Sequence, residues 1–118
     1  MLDETFKAEW IAALESEEYT QGHNRLWEQS APGKTMCCLG VAGDLLVKAG
    51  KAQWDGGTLV DPNASQEAVD EGHSSSSGYL PRSLCTLIGL SAQHGDELAR
   101  TNDQSVSFAP VIERIWGL

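Results

Sequence analysis

The sequence predicts a single α+β domain, mainly helical, with about four helices, one small β-hairpin and a long polar loop over residues 61–78. Three observations carry that expectation. Apolar residues recur at helical spacing in four separate stretches. The triplet Asp55-Gly56-Gly57 parts two short segments in the manner of a hairpin turn. A length of 118 residues suits one ordinary domain that buries a core without staples.

Residues 4–16 place Phe6, Trp10, Ala13 and Leu14 on one helical face, with Glu4, Glu9 and Glu15 on the other. Gly22 and Asn24 mark an irregular link, to which Tyr19, Leu26 and Trp27 give apolar anchors. Pro32-Gly33 signals a turn directly ahead of the next helix. That helix is the centre of the chain: Cys38, Val41, Ala42, Leu45, Leu46 and Ala49 form its stripe, and Gly50 ends it. Gly40 and Gly43 lie in its interior, where glycine costs about 1 kcal/mol and usually has a packing reason, so both are read as points of close approach by another element. The hairpin brings Trp54 opposite Thr58-Leu59-Val60. The polar stretch 61–78 holds Pro62-Asn63, Asp70-Glu71-Gly72 and four consecutive serines, and is expected to be a partly mobile loop.

Pro81 fits the first position of a further helix that turns Leu84, Leu87 and Ile88 inward and stops at Gly89, with Leu90 as the apolar contact after the stop. Asp96 to Arg100 is expected to form a short helical turn, and Asn102-Asp103 a turn and cap device. Ser107 is expected to cap a last helix with the stripe Phe108, Val111, Ile112, Ile115 and Trp116. Trp10 and Trp116, at helical spacing, are assigned to the core.

Seventeen acidic residues against eight basic ones give a net charge of −9. Scattered basic residues on such a chain argue against a nucleic-acid backbone as direct partner, because phosphate contacts need clustered Lys and Arg. The acidity suits solubility, or a host protein with a basic surface as partner. No apolar run reaches the ~18 residues of a membrane span, and Met1 to Thr5 lack the pattern of a secretory signal. A cytoplasmic location is expected. Three cysteines are an odd number whose spacing fits neither a disulfide framework nor a zinc motif. No metal and no cofactor is expected.

Cys37 and Cys38 enter the central helix, where free N–H groups favour thiolate. They are the first candidates for chemistry, although buried cysteine also packs as a small hydrophobe. The sharpest enzymatic alternative is a cysteine hydrolase of papain-like or peptidase type, with Cys37 or Cys38 as nucleophile and His73 or His94 as base. Against it, His73 adjoins the serine run, His94 precedes Gly95, and no substantial sheet is present to carry the histidine. Gly40-Val41-Ala42-Gly43 lacks the Lys and Ser or Thr of a phosphate loop.

The stretches Trp10-Ile11-Ala12-Ala13-Leu14, Tyr19-Thr20-Gln21-Gly22, Cys37-Cys38-Leu39-Gly40-Val41 with Asp44-Leu45, Tyr79-Leu80-Pro81 with Gly89-Leu90, and Asn102-Asp103 with Ser107-Phe108 together resemble a family of small proteins common in bacteriophages and prophages. Ser105 stands where similar proteins usually carry glycine. The resemblance spans nearly the whole chain and implies phage origin; it transfers no catalytic residue. Phage proteins of this size often modulate host machinery or antiviral defence.

A non-enzymatic binding protein accounts for more of the sequence. Trp27, Trp54 and Tyr79 are expected to line an aromatic pocket or contact patch, in which Arg25 and Arg82 hold a phosphate or carboxylate. The expected function is interference with a host component, by docking an acidic face that includes Glu17 and Glu18 or by sequestering a small nucleotide-like ligand.

Overall fold

Asp3 opens the first helix by accepting the Phe6 N–H on its carboxylate at 2.8 Å. The computed structural model describes residues 2–30 and 33–118. In chain order the elements are α1 (Glu4–Glu15), β1 (Glu28–Ser30), β2 (Gly33–Thr35), α2 (Cys38–Lys48), β3 (Gln53–Asp55), β4 (Thr58–Val60), α3 (Gln66–Asp70), β5 (Ser75–Ser76), α4 (Arg82–Ile88), α5 (Ala92–Asp103) and α6 (Ala109–Trp116). The described residues thus form six helices and two small antiparallel sheets, one of β1-β2 and one of β3-β4-β5. No helix among them is long and apolar enough to cross a membrane.

Helix α2 is the element the others pack around. It contacts α1 on one side and α5 on another, while α6 closes the layer against both α1 and α5. Every residue from Cys38 to Gly43 is buried, so the first half of α2 is enclosed all round instead of along a single stripe. The two interior glycines make this possible. A β-carbon at Gly40 would collide with the main-chain carbonyl of Leu26, and one at Gly43 would stand 2.5 Å from Leu59 Cδ2. Gly40 therefore lets the Leu26 backbone cross the helix, and Gly43 lets the β3-β4 hairpin seat Leu59 on it. The helix stops at Gly50, whose φ is 77°.

Several elements depart from the sequence expectation, each for an identifiable reason. The expected count of about four helices rises to six because α3 and α5 carry no legible apolar stripe. Helix α3 buries no residue and is started by Ser65, whose Oγ accepts from Ala68 N at 3.1 Å. Helix α5 turns Gly95, Leu98 and Asn102 inward, a correct helical spacing written with glycine and asparagine at two of its three positions. Its cap is Ser91, which accepts from His94 N at 3.0 Å, so His94-Gly95 lies inside a helix and not in a loop. The serine run in the expected loop supplies β5, whose Ser75 and Ser76 pair with Val60 and Leu59 through main chain alone. Residues 61–78 therefore contain a helix and a strand.

The last helix begins at Ala109 with Phe108 in the capping position, one residue later than the Ser107 cap implies, although the Ser107 hydroxyl does accept Ala109 N at 3.4 Å. Val111 and Ile115 are fully buried, but Trp116, one step further round, is 61% exposed. Its assignment to the core is corrected: Lys7 Nζ lies 5.9 Å from its ring centroid and donates to its carbonyl at 3.0 Å. Trp10 is fully buried, with its indole N–H bonded to Cys38 O at 3.0 Å. The hairpin β3-β4 has the expected register, with Asp55 opposite Thr58 across Gly56-Gly57. Of the expected Pro32-Gly33 turn, Pro32 falls outside the described residues, and Gly33 pairs with Ser30.

Candidate functional site

Three groups of residues singled out by sequence occupy three separate places. The first surrounds the paired cysteines. Cys37 and Cys38 are buried at 4% and 0% exposure, and the Cys38 thiol turns inward onto Leu98 O at 3.5 Å. Burial pushes the Cys37 thiol up to about 11, outweighing the helix N–H groups of Gly40 and Leu39 that pull it down. Cys38 is raised in the same direction, again chiefly by burial. The helix N-terminus acts as expected, but desolvation is the larger effect. No hydrogen bond joins either thiol to a histidine among the described residues. His73 pairs with Glu71 at 3.4 Å, and His94 is exposed on α5. At pH 8 a thiol titrating near 11 is thiolate in about one molecule per thousand. Ellman's reagent at pH 8 is therefore expected to leave the folded chain unlabelled over minutes and to titrate three thiols in urea; a fast-reacting thiol in the folded state would refute this.

In place of an imidazole, the entrance to α2 holds Asn102, fully buried. Its Oδ1 accepts the Cys38 N–H at 3.1 Å and Gln21 Nε2 at 3.2 Å, and its Nδ2 donates to Gly22 O at 2.9 Å and Asp103 Oδ1 at 3.2 Å. Asp103 in turn accepts Asn24 N at 2.8 Å. Cys37, the residue in the capping position of α2, provides no side-chain cap. Asn102 supplies one from α5. The expected cap role is thus exercised on a different helix, across 64 residues of chain.

The second group is built on Asp44. Its carboxylate accepts Tyr19 Oη at 2.7 Å and Trp54 Nε1 at 3.1 Å, and Lys48 Nζ stands 3.6 Å away. Trp54 packs against Trp27 with centroids 6.1 Å apart, which ties the link, the central helix and the hairpin together. Burial alone would raise the Asp44 carboxyl, but the Tyr19 and Trp54 hydrogen bonds and the Lys48 charge more than offset it and hold it below the ordinary 3.8. A depressed carboxyl contributes stability in full above its unfolded value and loses it as pH falls through the folded one. Asp44→Asn is expected to cost about 1–2 kcal/mol in urea unfolding, from the loss of charge-assisted hydrogen bonds. That gap should stay constant between about pH 6 and 8 and narrow below about pH 4.

The third group lines an open groove. Ser76 Oγ accepts from Gly78 N at 3.3 Å and Tyr79 N at 3.2 Å, folding the chain so that Tyr79 stands out at 56% exposure. Pro81 in the capping position of α4 carries the chain into Arg82. His73 is held at the start of the same helix, its carbonyl accepting Ser83 N at 3.0 Å. Tyr79, Arg82 and His73 share a cavity of about 580 Å³ whose apolar wall includes Leu39, Leu80 and Leu90. A neighbouring cavity of about 550 Å³ shares His73, Arg82 and Thr86 with it and adds Lys51 and Ser83. Arg82 makes no ion pair among the described residues, whereas Arg25 is engaged with Glu28 at 3.4 Å.

Of the five expected binding residues, Tyr79 and Arg82 meet in the groove. Trp27 and Trp54 form a separate pair, and neither they nor Arg25 line it. Lys51 carries no sequence signal because its approach to Arg82 is tertiary, and Ser83, the next residue in α4, carries none because a lone helical serine has no pattern of its own. Asp44 had a readable signal in its i, i+4 spacing to Lys48. Among the described residues no three His, Cys, Asp or Glu side chains gather as a metal site.

No curated protein and no solved structure matches the chain. A family model does match it over residues 2–115, a span that takes in α1, the cysteine entrance to α2, the groove and nearly all of α6. With that coverage, the chain belongs to the family described as Domain of unknown function (DUF8296).

Proposed function

We propose that this chain is a phage-type, non-enzymatic binding protein of the host cytoplasm that sequesters a small nucleotide-like ligand in the groove between Tyr79 and Arg82, and so modulates a host component, such as one of antiviral defence. The observation that carries this reading is the meeting of an exposed aromatic ring and an unpaired guanidinium on one cavity with an apolar wall. An aromatic face suits a planar base, and a guanidinium suits an anionic group through paired hydrogen bonds.

Native mass spectrometry of protein purified from an infected host tests it. The wild-type chain is expected to carry a small anionic molecule that Arg82→Ala loses, with an unchanged far-ultraviolet circular dichroism spectrum because Arg82 is exposed. A wild-type chain that carries no small molecule, and whose melting temperature no nucleotide shifts, would refute it. The docking alternative draws on Glu15, Glu17 and Glu18, all exposed and without an ion-pair partner among the described residues. In that case charge reversal at Glu17 and Glu18 weakens capture of a basic host protein and leaves small-molecule content untouched.

A further inference from the structure

The two cavities that meet at Arg82 differ in chemistry. The half under Tyr79 has Leu39, Leu80 and Leu90 in its wall, with the carboxylates of Glu71 and Asp96 also on its lining. The other half gathers Lys51, His73 and Arg82 with the hydroxyls of Ser83 and Thr86. Lys51 and Arg82 make no ion pair among the described residues, and Ser83 Oγ is buried without a hydrogen-bond partner. Two carboxylates stand near this half: Asp61, which is turned onto its own chain and accepts Asn63 N at 3.0 Å, and Glu71, which lies 3.4 Å from His73 Nδ1.

We infer that Lys51, Arg82, His73 and Ser83 form a subsite for a terminal phosphate, so that the ligand of the groove is a nucleoside phosphomonoester with its base under Tyr79. This rests on the sequestration reading above and narrows it. A terminal phosphate carries close to two negative charges near pH 7 and three acceptor oxygens, which match several converging donors. A cyclic phosphodiester carries one charge and two free oxygens, and a nucleoside carries neither.

Isothermal titration of the full chain with the four common nucleosides, their 5′-monophosphates, their 3′,5′-cyclic monophosphates and inorganic phosphate tests the assignment. At least one 5′-monophosphate is expected to bind about tenfold tighter than its nucleoside and its cyclic ester. Lys51→Ala and Ser83→Ala should each weaken the monophosphate by about five- to tenfold and leave nucleoside affinity unchanged. Asp61→Asn, which keeps an acceptor for Asn63 N, should strengthen the monophosphate by about threefold by removing a like charge. If nucleoside, cyclic ester and monophosphate bind equally, and Lys51→Ala changes none of them, the phosphate subsite is refuted while the groove remains a ligand site. If none of the probes binds, inorganic phosphate included, the sequestration reading fails with it.

Discussion

Asn102→Ala is expected to lose about 3–5 kcal/mol of folding stability, because two buried main-chain groups are left without partners at about 1–3 kcal/mol each. The groups are the Cys38 N–H at 3.1 Å and the Gly22 carbonyl at 2.9 Å. Asn102 is fully buried, so no water can replace the amide without opening the packing of α5 on α2. Against the ~5–15 kcal/mol total of an ordinary domain, such a loss is a large fraction. It should lower the melting temperature by on the order of 15 °C. Asn102→Asp sharpens the test. The aspartate keeps an acceptor for Cys38 N–H, but it replaces the donor facing Gly22 O with an oxygen and sets a second carboxylate against Asp103, now 3.2 Å from Nδ2. It should therefore fail to rescue the fold. Urea unfolding of the three proteins decides the matter, and an Asn102→Ala chain within about 1 kcal/mol of wild type would show that the amide is not a structural cap.

The same amide explains why the sequence is legible in some places and silent in others. Where local pattern and tertiary packing agree, as in Phe6, Trp10 and Leu14 of α1 or Asp55-Gly56-Gly57 in the hairpin, the elements stand where the spacing puts them. Gly40 and Gly43 were readable as close approaches because a helix interior gives glycine no other reason to be there. Their partners, Leu26 and Leu59, were not readable, since 14 and 16 residues of chain separate them and only the fold brings them together. The sequence predicts only a short turn within α5 because the inward positions of that helix are Gly95, Leu98 and Asn102, of which leucine alone is a strong apolar signal. Strand β5 was unreadable because serine has no side-chain pattern to offer and pairs through main chain. The groove shares this last difficulty. Tyr79 and Arg82 lie close in sequence, while Lys51 reaches the neighbouring cavity at Arg82 from beyond the end of α2.

Gly40→Ala is expected to be the most damaging single methyl in the chain, and Gly43→Ala a mild one, although both sit in the same helix one turn apart. The contrast lies in what each new β-carbon meets. At Gly43 it meets the Cδ2 end of Leu59 at 2.5 Å, a flexible group that can change rotamer. Overpacking of that kind costs about 1–3 kcal/mol, and the better helix propensity of alanine returns about 1. At Gly40 it meets the carbonyl of Leu26 itself, and that carbonyl is pinned. Leu26 is fully buried, its N–H bonds to Ser77 O at 2.8 Å, and the preceding carbonyl of Arg25 accepts Cys37 N at 3.4 Å. Relief requires the link or the helix to move as a unit, so the loss should exceed about 4 kcal/mol even after the propensity gain. Double mutants separate the two causes. Truncation in Leu59→Ala should abolish most of the extra cost of Gly43→Ala. Truncation in Leu26→Ala should leave the cost of Gly40→Ala intact, because the obstacle is main chain that no side-chain change removes. Equal losses at the two glycines, or rescue of Gly40→Ala by Leu26→Ala, would mean that the link does not cross α2 at this point.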